Sequence, residues 1–217
     1  IPGSRRLHDL GDGKGTGVLR KWRQATGLGQ RGSVAPRERG AALTEMALLL
    51  PILLLLVIGV FELGGAFKDY LTTSNAVRDG TRILSATGTQ PTSDCVALVR
   101  AVDSMSTATR LDSLVSIQIF QANDSGDPIP GSINTYTYAS GDPATCTPTA
   151  PNCGSWNCTI QQPPSSRSAL VGSGVSPDLI GMRIIYTHNW YTGFPPFSGS
   201  LTIDEQTISR LEPEGLA

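Results

Sequence analysis

The sequence predicts an α+β protein: a long N-terminal helix, membrane-crossing in its first half, packed on a small antiparallel sheet whose loops are tied by disulfides. Three observations point there. No polar side chain occurs from Met46 to Phe61. Short segments of the C-terminal half alternate apolar and polar residues, as half-buried strands do. The four cysteines, Cys95, Cys146, Cys153 and Cys158, all follow the apolar run.

The near-neutral charge of the 217-residue chain hides two unlike parts. Residues 1–40 carry nine Lys/Arg against three acids, whereas the remainder carries eight basic and fifteen acidic residues. The basic part includes "GDGKGTG" and few large apolar residues, so it reads as a flexible leader unable to bury a core. Its glycines do not make a phosphate loop, because Lys14 is followed by Gly15, not Ser or Thr. Trp22 is the only aromatic among its basic residues, and nucleic-acid binding is not expected.

Extending the apolar run over Ala41 to Ala66 gives about 26 residues, or roughly 39 Å of helix, enough to span a bilayer with some tilt. Arg37 and Arg39 precede it and only Lys68 follows closely, which places the N-terminus inside and the body outside. Pro51 within the run is expected to bend the helix without breaking it, since in a membrane neighbouring groups can satisfy the freed carbonyl. The exterior cysteines, even in number and without zinc-type spacing, suit two disulfides in an oxidising compartment. Three connectivities are open.

Glu45 is a carboxylate in the mouth of this apolar helix, a costly place for an unpaired charge. Cleavage after Gly40 would make Ala41 a new N-terminus with Glu45 as its fifth residue. The freed ammonium, on the same chain or on a neighbour displaced by about one turn, could then pair with that carboxylate. Phe67, Tyr70, Leu71, Val77, Ile83 and Leu84 are compatible with a helical extension over 67–87 carrying one apolar side, with Lys68, Asp69, Arg78, Asp79 and Arg82 elsewhere.

The string "ERGAALTEMALLLPILLLLVIGVFELGGAF" resembles the TadE-like family, minor pilins or pseudopilins of the Tad/Flp type IV pilus system, and "RG|AALTE" is similar to a class III prepilin signal. The resemblance extends through "NAVRDGTRILSATG" and returns weakly in "TISRLEPEG". It implies a type IV pilin-like fold, with Gly40 and Ala41 flanking a prepilin-peptidase cut and Glu45 docking on a neighbouring subunit. Implied partners are other pilin subunits and the Tad assembly platform through the N-terminal helix, the peptidase, and membrane lipid. The implied location is the cytoplasmic membrane, then an extracellular pilus.

Two other fates stay open. Signal peptidase could cut after "LGGA", releasing a soluble binding module that starts at Phe67, or the chain could remain an uncleaved single-span anchor. Either would leave a disulfide-stapled head as a binding module.

In the head, "TSDCVALVRAVDSM" predicts a short helix over 94–106 capped by Ser93 or Asp94, and strands are expected near 114–121, 181–190 and 200–211. Residues 122–178, rich in Gly, Pro, Ser, Thr and Asn, are expected as loops around a three-stranded sheet. Trp190, Tyr191, Phe194 and Phe197 are expected to fold inward and anchor the last hairpin; outward, they would form a contact patch for a surface ligand. His188 reads as a sheet residue. No nucleophile–base pair, paired carboxylates or metal-ligand spacing is present, so neither catalysis, a metal nor a cofactor is expected.

Overall fold

The structure is a computed structural model that describes residues 36–106, 110–147, 152–171 and 176–213. The basic leader up to residue 35 lies outside the described residues. Two compact units are distinguished, one through Leu49 and one from Leu50 onward.

Helix α1 runs from Pro36 to Thr87 and α2 from Ser93 to Ser106. Pro36 stands at the start of α1, where its missing N–H costs nothing. Pro51 lies within α1, which continues through it. In the first unit, positions 40–49 are exposed and all belong to α1. Among the described residues, α1 is the one helix long and apolar enough to cross a membrane, which makes it a candidate membrane anchor.

The second unit holds a six-stranded, fully antiparallel sheet: β1 (Leu114–Ala122), β2 (Asn134–Tyr138), β3 (Asn152–Cys153), β4 (Trp156–Thr159), β5 (Leu179–Asn189) and β6 (Ser200–Arg210), in the order β3-β4-β2-β1-β5-β6. The α+β class is as the sequence predicts, and the three expected strands are β1, β5 and β6. The expectation of loops across 122–178 is corrected by β2, β3 and β4. Short strands such as "NTYTY" and "WNCT" have the Thr, Tyr and Trp content that strands favour, but flanking Gly and Pro masked them. Gly154, at φ 74°, supplies the left-handed backbone of the two-residue β3–β4 turn.

One face of the sheet buries Ile117, Ile119, Tyr136, Trp156, Met182 and Ile184 against Val77 and Leu84 of α1 and Leu98 and Val102 of α2. Strand β1 departs from the expected alternation. Leu114 pairs with Tyr186 and Ser116 with Ile185, so two residues of β1 oppose one of β5. This bulge shifts the parity by one, placing Leu114 in the core and leaving Val115 exposed.

The buried stripe of α1 also differs from the expected apolar side. It consists of Glu62, Ala66, Asp69, Thr73, Ala76, Val77, Gly80, Thr81, Leu84 and Ser85, the three- and four-residue spacing of one helix face. Phe67, Tyr70 and Leu71 are exposed. The face of α1 that packs on the sheet therefore keeps Val77 and Leu84 of the expected side and otherwise carries small and polar residues.

On the other side of α2, Arg167 makes a bidentate pair with Asp94, at 2.6 and 3.1 Å. Asp94 also accepts from the Asn134 side-chain amide at 2.8 Å and the Tyr136 hydroxyl at 2.9 Å. Burial, reinforced by the adjacent Asp94 charge, pushes the Tyr136 phenol far above its usual range and keeps it a donor. On the outer face of the sheet, Arg183 Nε donates to Asp204 at 2.6 Å, a bond that holds the carboxyl below its ordinary range.

Candidate functional site

The sequence-predicted site residues fall in two places. Gly40, Ala41 and Glu45 lie in the first turns of α1 and are exposed. The Thr44 hydroxyl donates to the Ala41 carbonyl at 2.8 Å. Helix geometry puts position 45 one turn from position 41 on the same face. Among the described residues Glu45 has neither a hydrogen bond nor an ion pair. A residue added as a Cβ at Gly40 would meet nothing within 4 Å. Gly40 is thus sterically open, and Glu45, one turn beyond Ala41, has no partner among the described residues.

In the second unit, α1 is bare over Ile52–Leu56 and becomes covered near Gly59. A second carboxylate there, Glu62, is fully buried. Its Oε2 accepts from the Tyr191 N–H at 2.9 Å, and its Oε1 accepts from the Thr192 N–H and the Thr192 hydroxyl, both at 2.6 Å. The segment after β5 therefore wraps the carboxylate with three donors, two of them backbone. Such charge-assisted bonds are the strong class, and they supply a buried acid with what it needs in place of water.

Two turns further along the same face, Asp69 Oδ2 meets His188 Nδ1 at 2.7 Å, with both side chains buried. His188 is a sheet residue, as expected, on the inward row Met182, Ile184, Tyr186 and His188 of β5. Its Nε2 has no hydrogen-bond partner among the described residues. The ring edges of Trp190 and Tyr191 close around it, with centroids at 5.1 and 5.8 Å. Glu62 and Asp69 together clamp the end of β5 and the following loop onto α1.

The aromatic cluster divides between the two orientations considered for it. Trp190 and Phe197 pack on each other with centroids 5.3 Å apart, whereas Tyr191 and Phe194 are 67% and 52% exposed. All four cysteines are paired, Cys95 with Cys146 and Cys153 with Cys158. Among the described residues no group of three or more His, Cys, Asp or Glu is placed to hold a metal ion.

Sequence reasoning missed Glu62 and Asp69 as contact residues. A signal was present: two acids seven apart, on one face of a helix, with the first beside an apolar run. What the chain does not reveal locally is the donor, which lies about 130 residues away in the loop after β5.

A family model described as TadE-like protein matches residues 40–82. The chain carries a TadE-like segment. It begins at Gly40 and ends within α1, so it contains Gly40, Ala41, Glu45, Pro51, Glu62 and Asp69, and none of the sheet. Searches of curated proteins and of solved structures found no match. The TadE-like segment thus contains Glu45, Glu62 and Asp69, while the groups that meet Glu62 and Asp69, on β5 and in the loop after it, lie outside the matched residues.

Proposed function

We propose that this chain is a minor pilin of a Tad-type pilus, a structural and assembly protein. It would be inserted through α1 with its head outside, trimmed between Gly40 and Ala41 by prepilin peptidase, and then incorporated into the pilus or used to prime it. The observation that carries this reading is the TadE-like segment opening at Gly40, with Glu45 five residues into the chain that the cut would leave.

The physical argument is one of charge compensation in an apolar medium. The cut creates an ammonium at Ala41 one turn from Glu45. A carboxylate otherwise unpaired within α1 then gains a cation, on its own chain or on a neighbour shifted by a turn. Assembly is thereby coupled to processing, because only the trimmed chain presents that cation. The exposed Phe67, Tyr70 and Leu71 give α1 an apolar side for lateral packing against other subunits.

Release by signal peptidase before Phe67 fits the packing poorly. That cut would remove Glu62 and leave the N–H groups of Tyr191 and Thr192 without their acceptor. The deciding experiment is mass spectrometry of the mature N-terminus in native material. A chain beginning at Ala41 is expected; one beginning at Phe67, or retaining residues 1–40, overturns the proposal. Glu45→Ala is expected to leave expression and membrane insertion intact and to abolish filament incorporation, read by shearing and immunoblotting of surface pili.

A further inference from the structure

The loop that holds Glu62 lies where the apolar part of α1 ends. The run without a polar side chain stops at Phe61. The Phe197 ring lies over Gly59, 3.7 Å from where a Cβ would stand. Tyr191 covers Gly65 so closely that a Cβ there would collide with its ring, which accounts for glycine at that position. Between these two contacts Glu62 takes the loop's backbone donors. The loop is therefore pinned to α1 over residues 59–65, at the outer limit of the segment suited to acyl chains.

The composition of the loop matches that level. No Asp, Glu, Lys or Arg occurs between Asn189 and Ile203, and the tip reads "WYTGFPPF". Trp190 and Phe197 spend their rings on each other and on α1, but Tyr191 and Phe194 keep most of their surface outward. Val60, Phe61 and Leu63 of α1, at the same level, are exposed as well. Tyrosine and tryptophan favour the bilayer interface, where the ring meets apolar chains and the polar edge meets headgroups and water.

We propose that this loop, residues 190–198, is seated in the lipid interface on the head's side of the bilayer, as a second membrane contact beside α1. The occupant is lipid because the exposed rings continue the apolar surface of Ile52–Leu56 and Val60–Phe61, which acyl chains would cover in an anchored protein. The head would then be held at a set height and rotation by two attachments, with Glu62 as the rivet between them. The inference rests on the membrane-anchored reading above.

The test uses the full chain carrying Phe194→Trp, reconstituted into vesicles of phosphatidylcholine and phosphatidylglycerol. Position 194 is half-exposed, so the substitution adds a fluorophore without touching a buried contact. Emission is compared with that of the parent chain in lipids brominated near the headgroup or deep in the acyl chain. The added emission is expected to lose most of its intensity with shallow bromines and much less with deep ones. Added emission indifferent to bromine, from chains that float with the vesicles, overturns the interfacial loop and leaves the anchor intact. Emission that responds only to the protein-to-lipid ratio also overturns it and assigns the surface to a second copy of the chain. Chains that fail to float with vesicles overturn both.

Discussion

Arg167 and Asp94 illustrate how much one side chain can carry in a head this size. The guanidinium and carboxylate are both buried and tie the start of α2 to the segment after β4, with Asn134 and Tyr136 filling the remaining acceptor positions of Asp94. Removing Arg167 leaves the buried Asp94 charge without compensation. Arg167→Ala is expected to destabilise the head by about 3–5 kcal/mol in urea unfolding of the detergent-solubilised chain. Nothing local in the sequence announces this pair, because an arginine among "QQPPSSRS" looks like any surface loop residue. Glu45 was legible as a candidate site for the opposite reason: the residues adjacent to it in its own helix are apolar.

Among the elements, α1 was legible as a long apolar helix but only partly by its buried face. Apolar periodicity selected Val77 and Leu84, which are buried, but also Phe67, Tyr70 and Leu71, which are exposed, while Glu62, Ala66, Asp69 and Thr73 are buried instead. Periodicity finds the face an isolated helix would hide from water, and it fails where the hidden face carries polar groups paired from another element. The loops show the same division. An even count of cysteines beyond the apolar run announced two disulfides, but only the folded arrangement of α2, the loop after β2 and the hairpin β3–β4 selects Cys95–Cys146 and Cys153–Cys158. These crosslinks close loops of very different length, with sequence separations of 51 and 5. In the chain-entropy treatment the first contributes about 4 kcal/mol and the second about 2 kcal/mol. Replacing Cys95 and Cys146 by alanine is therefore expected to lower the urea midpoint about twice as far as replacing Cys153 and Cys158.

For the whole molecule, residues 59–66 belong both to the apolar part of α1 and to the packing of the head, so where a shortened chain begins would decide whether the head stays complete. A chain beginning at Ile58 keeps Glu62, and its loop over residues 190–198 is expected to resist limited proteolysis. One beginning at Phe67 lacks the acceptor, and cleavage within that loop is expected to become the first event, read by mass spectrometry of the fragments. Equal resistance in the two chains would show that Glu62 does not hold the loop.

The sequence by itself determined the properties that depend on neighbours along the chain: an apolar segment long enough to cross a bilayer, an acid at its mouth, strands announced by alternation, and an even set of cysteines beyond the apolar run. Tertiary structure alone decided which side of α1 is covered, the parity of β1 after its bulge, the pairing of the cysteines and the partner of Glu62. The physical reason is range. Transfer of side chains from water to lipid is a sum over local residues, whereas a buried charge is stable only when donors distant in sequence arrive together, and folding is what brings them.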